Sequence, residues 1–199
     1  MNTRSITLPM HRVLLAALLL YSPILLNAQA QKSSSTEWRN EVGVTYVSGL
    51  SDLVDALENN YYGLDVTEWP VGLTYRGYLL YPQGFGFGVS AGPMVFITGD
   101  IDAFIVPVGV DARYVVGSKG KTSLILRAGA RYPITSGDHM EGSSLGFVGG
   151  AAVEFPIASG KMAMGLEAAY DSSEVEVQAG WRNEDIKLNE ISITLYFRF

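Results

Sequence analysis

The segment Ala103–Val116, AFIVPVGVDARYVV, sorts its side chains by parity. Phe104, Val106, Val108, Val110, Ala112, Tyr114 and Val116 fall on one side; Ile105, Pro107, Gly109, Asp111, Arg113 and Val115 fall on the other. Successive side chains of a strand point to opposite faces, so this strand has one apolar face and one face of small or charged residues. The same period of two recurs along the chain and predicts eight strands, near 38–50, 68–81, 84–97, 103–116, 121–134, 145–157, 161–174 and 188–199. With 22 Gly, 11 Tyr and 8 Phe in 199 residues, the pattern belongs to an all-β barrel or sandwich.

The charges decide which face is inside. Arg76, Asp111, Arg113, Arg127, Arg131, Glu154 and Glu167 share the small-residue face with Gly43, Gly72, Gly84, Gly86, Gly88, Gly109, Gly129 and Gly165. A repeat fixes the register of two of them: PVGLTYRGY from Pro70 and PVGVDARYV from Pro107 place Arg76 and Arg113 in equivalent positions. Glu41, Lys161 and Arg198 fall nearer one rim. Glycines beside long charged side chains suit a crowded interior, and eight strands enclose a space that side chains can just fill. The predicted contents are an ionic plug, with Arg76, Arg113, Arg127 and Arg131 pairing with Asp111, Glu154 and Glu167, because buried charges need partners.

The apolar face then looks outward, into lipid. Its aromatics gather at strand ends: Trp69, Phe104, Tyr132, Phe147 and Tyr170 at one end, Trp38, Tyr81, Phe85, Tyr114, Phe155 and Phe199 at the other. Two aromatic girdles around an apolar band are what a transmembrane barrel presents to the membrane interfaces. The connections PQG, GSKGK and ASG are short, while those after strands one, five and seven are long. Short periplasmic turns and longer outer loops predict that both termini face the periplasm. Closure also satisfies every backbone group in lipid.

The first 30 residues read differently. Arg4 and Arg12 precede an apolar run, Val13–Leu26, which ends at Ala28-Gln29-Ala30. That run has 14 residues, short of the roughly 20 needed to span a bilayer as a helix, so 1–30 is predicted to be a signal peptide and 31–199 the barrel domain. Of 14 basic residues, removing Arg4 and Arg12 leaves 12 against 20 acidic ones, a net charge of −8. No basic patch stands out, which argues against nucleic acid as a partner. With no cysteine, disulfides and thiol-linked lipid are excluded.

The ending ISITLYFRF alternates cleanly and stops on an aromatic residue. Together with the strand count and loop asymmetry, it resembles the small eight-stranded outer-membrane barrels of the OmpA and OmpX type. That resemblance implies an eight-stranded antiparallel up-and-down transmembrane β-barrel in the outer membrane of a Gram-negative-type bacterium. It also implies that Phe199, with Phe197, Leu195 and Ile193 on its face, is the signal read by the barrel-insertion machinery.

Three functional classes follow. The favoured one is a structural or surface-interacting barrel with a charge-packed lumen, embedded in outer-membrane lipid and meeting an extracellular ligand through 51–67 and 174–187. SDLVDALENN, from Ser51, reads as a short helix with Ser51 as N-cap over the outer mouth, or equally as a solvated loop. YDSSEVEVQAGWRNEDIKL reads as a projecting hairpin with Trp181 near its tip. The alternative is a small or gated pore for ions or small solutes. The third is a lipid A-modifying enzyme, as in one resembling group of deacylases. Here the single His of the mature chain, His139, has Ser136, Ser143, Ser144, Asp138 and Glu141 nearby, but position 141 is Glu where the deacylase pattern has Ser, so no catalysis is expected. The acids Asp171, Glu174 and Glu176 lack EF-hand spacing, and neither metal nor cofactor is assigned.

Overall fold

A computed structural model describes residues 36–60, 66–82, 84–100, 102–116, 122–137, 140–157, 162–179 and 182–199. The predicted signal segment, Lys161, Asp138, His139 and Trp181 lie outside them. In chain order the elements are β1 (Glu37–Val47), α1 (Ser51–Asn60), β2 (Val66–Leu80), β3 (Phe85–Gly99), β4 (Ala103–Val116), β5 (Ser123–Gly137), β6 (Met140–Ser144), β7 (Gly146–Ile157), β8 (Met162–Ala179) and β9 (Arg182–Arg198).

Antiparallel pairing runs β1-β2-β3-β4-β5-β7-β8, and β9 pairs with both β8 and β1. That closes a ring of eight strands, the predicted up-and-down barrel. The last residue takes part in closure: Phe199 N donates to Asn40 O and Asn40 N to Phe199 O, each at 2.9 Å. The chain ends where β9 has finished zipping to β1.

The far end departs from the sequence reading. The stretch read as a ten-residue loop after the fifth strand is mostly strand: β5 runs on to Gly137, and β6 begins at Met140 and pairs with the upper part of β8. The last two strands run past their predicted limits, to Ala179 and from Arg182, and pair there as the projecting hairpin expected from the sequence.

Polarity inverts along that hairpin. On β8 the inward residues begin as Ala163, Gly165, Glu167 and Asp171, then become Val175 and Val177; the outward ones begin as Met164, Leu166 and Tyr170, then become Ser172, Glu174 and Glu176. A strand bathed in lipid is apolar outside, whereas one bathed in water is apolar inside. The switch therefore marks the edge of the lipid band, at Tyr170 and its partner Ile191, the last large apolar residues to face outward on β8 and β9.

Above that edge the interior is a conventional apolar core. Leu53, Val54 and Leu57 of α1 are buried against Val66, Ile97, Ile105, Val175, Val177, Ile186 and Leu188. So α1 is a helix, and it is a plug seated in the mouth rather than a solvated loop. Its first intrahelical bond runs from Val54 N to Leu50 O (3.0 Å), which puts Leu50, not the expected Ser51, at the cap.

Strict alternation also fails once, in β3. Continued from Gly86 and Gly88, it would turn Met94 and Phe96 inward; instead Val95 and Ile97 are buried and Met94 and Phe96 exposed. The reset falls at Gly92, where φ is +102° and a Cβ would stand 2.3 Å from Leu73 O. Only glycine takes that conformation without strain, and the bulge re-aims the rest of the strand.

Candidate functional site

The lumen below the plug holds the charged residues. All seven predicted members, Arg76, Asp111, Arg113, Arg127, Arg131, Glu154 and Glu167, are buried there. Glu41 and Arg198, expected near the rim, are buried with them.

Eight of these form one unbranched series. Arg198 Nη2 lies 2.9 Å from Glu154 Oε1, and Arg113 Nη2 lies 3.5 Å from Glu154 Oε2. Arg113 also pairs with Glu41, and Glu41 lies 3.4 Å from Arg76. Arg76 forks onto Glu167, at 3.0 Å and 2.7 Å. Arg127 meets the same carboxylate at 2.5 Å and 3.2 Å and ends on Asp111 at 3.1 Å. Signs alternate throughout, so every interior member has an opposite charge on both sides. Such charge-assisted pairs repay desolvation only when each member is satisfied. Glu154 and Glu167 each have two guanidiniums of their own.

The sheet register makes this packing feasible. Glu154, Gly165, Tyr196 and Gly43 occupy one row across β7, β8, β9 and β1. A Cβ on Gly165 would sit 2.1 Å from the Tyr196 ring; the missing side chain is the space in which that ring lies. Its hydroxyl thereby donates to Glu154 at 3.3 Å. Asp111 likewise stands between Gly88 and Gly129 in its row. Tyr78 supports the other side, donating to Glu41 at 3.1 Å while the Arg113 guanidinium stacks 4.0 Å from its ring centre, a cation–π contact. Beside Asp111, a gap lined by Glu41, Arg76, Tyr78, Arg113 and Arg127 has about 10 Å³ of room for a water centre, about one water.

Arg131 departs from the expected pairing. It reaches Asp171, at 3.4 Å, and donates to Gly92 O at 3.1 Å, not to the three acids named for it. Asp171 was grouped with Glu174 and Glu176 as a surface cluster; parity separates them, turning Asp171 inward and the other two outward. Glu190 is buried directly opposite it, as its register partner. Neither Asp171 nor Glu190 was predicted as a lumen residue, although odd parity on β8 and even parity on β9 carry both inward.

The aromatics assigned to the two girdles face outward. Trp69, Tyr81, Phe85, Tyr114, Tyr132, Phe147, Phe155 and Tyr170 are exposed, and Trp38 and Phe104 half-buried, on the outer face. Several anchor a polar tip, as an interfacial aromatic should: Tyr75 donates to Asn40 at 2.9 Å and Trp69 to Thr98 at 3.2 Å. Ile193, Leu195 and Phe199 are exposed, with Phe197 stacked on Phe199 at 6.2 Å between centres. No group of three or more metal-ligating side chains occurs among the described residues.

The sequence matches no protein-family model and no curated protein. Its fold does find relatives. The outer membrane protein OprG from Pseudomonas aeruginosa is similar over 83% of this chain and 95% of its own, at 10% identity and a TM-score of 0.52. Neisserial surface protein A matches at 13% identity over 83% and 98%, with a TM-score of 0.47. AlkL, solved in lipid bilayers, matches at 12% identity over 84% and 93%, with a TM-score of 0.49. At such identities the likeness concerns the fold alone, and the OprG match carries it: this chain has the fold of a small eight-stranded outer-membrane β-barrel.

Proposed function

We propose that the protein is a sealed barrel of the outer membrane that acts through its exposed surface, with a structural or partner-binding role and no catalysis. The observation that carries this reading is the filled interior. A neutral, alternating ion-pair series occupies the lumen, with room for about one water beside it, and α1 closes the mouth above. The long connections, α1 and the β8–β9 hairpin all lie at one end and the tight turns at the other, which favours both termini in the periplasm. Outer-membrane lipid is then the partner of the apolar band. The barrel-insertion machinery is the partner of Ile193, Leu195, Phe197 and Phe199, and residues 51–67 and 174–187 offer the surface for an extracellular ligand. Nucleic acid is not a partner.

The competing reading, a small pore for ions or small solutes, is favoured by one feature, the water-sized gap beside Asp111. Planar-bilayer recording of the purified barrel separates the two. The sealed barrel gives no steady ionic current above the bare bilayer, and reproducible unitary steps would install the pore in its place.

A further inference from the structure

Among the described residues the buried charges do not balance. Six carboxylates, Glu41, Asp111, Glu154, Glu167, Asp171 and Glu190, face five guanidiniums, Arg76, Arg113, Arg127, Arg131 and Arg198. Eight of these groups form the series, and Arg131 pairs with Asp171. Glu190 is left over. It is 7% exposed and has no hydrogen bond or ion pair among the described residues, while its register partner across the ladder is another carboxylate, Asp171.

Its surroundings offer little help. On β8 it faces Asp171; on β5, Arg131, whose Nη1 serves Asp171 and Gly92 O while Nε and Nη2 have no partner among the described residues. On β2 the inward charge is Glu68, half-buried. On α1 the charges are Asp52, Asp55 and Glu58, all acidic and exposed. On the neighbouring strand β1, Val47 lies opposite Ser192 and packs with Leu50 and Val95. The next inward residue on β9, Leu188, belongs to the cluster that seats Leu53 and Leu57 of α1. Glu190 thus stands directly under the plug. It lies one residue beyond Ile191, outside the lipid band. Burial, with the Asp171 charge added, pushes its carboxyl up to about 8.

We propose that Glu190 is a proton-binding site that latches the α1 plug. A single proton supplies the missing positive charge, and the neutral carboxyl is compatible with the apolar cap above it. Losing the proton leaves two carboxylates and one guanidinium together in a largely buried space. An uncompensated buried charge seeks water, and the route to water at this point runs through the cap, so α1 unseats.

The direction follows from linkage. The seated form holds the proton more tightly than the unseated one, in which Glu190 is hydrated and has an ordinary carboxyl pKa. Seating is therefore strongest at acid pH and weakens as pH rises from the ordinary carboxyl range to about 8, by up to tenfold per pH unit.

Hydrogen exchange of the Leu53 and Leu57 amides, in the refolded barrel in lipid nanodiscs and corrected for intrinsic rates, tests this. Opening should rise about a hundredfold between pH 6 and pH 8, and Glu190→Gln should abolish the rise, leaving α1 protected throughout. A flat wild-type profile, or the same slope in Glu190→Gln, would overturn the proposal. Should Glu190→Gln not fold, Asp171→Asn serves: without the like charge, and with Arg131 freed to pair with Glu190, the Glu190 carboxyl moves back toward its ordinary range, so the rise in opening between pH 6 and pH 8 should shrink, and an unchanged rise in this variant would overturn the latch. Exchange at pH 8 in sodium chloride and in N-methylglucamine chloride identifies the charge: equal rates support the proton, whereas protection restored by sodium would replace it with an alkali cation and refute it.

Discussion

Replacing Arg127 with Leu removes the guanidinium that holds the end of the ion-pair series. Its side chain is 5% exposed, and it is the ion-pair partner of Asp111 as well as one of two on Glu167. Glu167 keeps Arg76. Asp111 keeps nothing: its Oδ2 is already without a partner among the described residues, and Oδ1 loses Nη1. Leaving a buried charge uncompensated in this way costs about 3–5 kcal/mol. With a urea slope near 2 kcal/mol per molar, the unfolding midpoint of the lipid-embedded barrel should fall by about 2 M. The shift is read from heat-modifiable gel mobility and tryptophan fluorescence across a urea series. The double variant Arg127→Leu with Asp111→Leu removes both ends of that pair, and it should recover most of the loss, because replacing a whole buried pair by apolar side chains is near neutral. An unchanged midpoint in the single variant, or a double variant that loses the sum of both single effects, would refute the idea that the lumen is held by mutual neutralisation.

Other substitutions probe the remaining parts. Gly165→Val, which drives a side chain into the Tyr196 ring, should lower stability by about 1–3 kcal/mol, whereas Gly149→Ala, with nothing within 4 Å of its new Cβ, should stay within about 0.5 kcal/mol of wild type in the same urea assay. Leu53→Ala leaves a cavity in the plug and should weaken seating of α1 by about 2–5 kcal/mol; faster exchange confined to α1, with β1–β9 amides unchanged, is the expected signature. Removing Phe199 deletes the terminal pairing with Asn40 and the end of the proposed insertion signal, and should reduce the folded fraction recovered in outer membranes; full recovery would argue that closure and targeting do not depend on that residue. Trimming 174–187 should abolish binding of an extracellular partner while leaving the heat-shifted mobility of the barrel intact.

The barrel, its parity and the occupants of its lumen were legible because each depends on local alternation. Arg76, Asp111 and Arg113 could be turned inward from their own strands alone. Partner choice could not, because it depends on the stagger between strands. Arg131 meets Asp171 rather than Asp111 only after the rows of eight strands are offset around the ring, a property of closure rather than of any one strand. The β3 reset was hidden for another reason: Gly92 is one of 22 glycines, and nothing in its flanks marks it as a glycine with positive φ in the middle of a strand. The apolar mouth was readable but misjudged. The alternation of Glu174, Val175, Glu176 and Val177 already shows valine on the parity of Asp171 and Glu167. A single inside-outside rule for the whole chain ignored that a barrel rising out of lipid must reverse its polarity.

The alternating series is tested most directly by nitrogen-resolved NMR of the arginine side chains in lipid-embedded protein. Guanidinium protons of Arg76, Arg113 and Arg127 should exchange slowly with water at neutral pH, because each is buried and bonded to carboxylates on two sides. If all three exchange as rapidly as a solvent-exposed arginine, the lumen is hydrated and the sealed, self-neutralised interior is wrong.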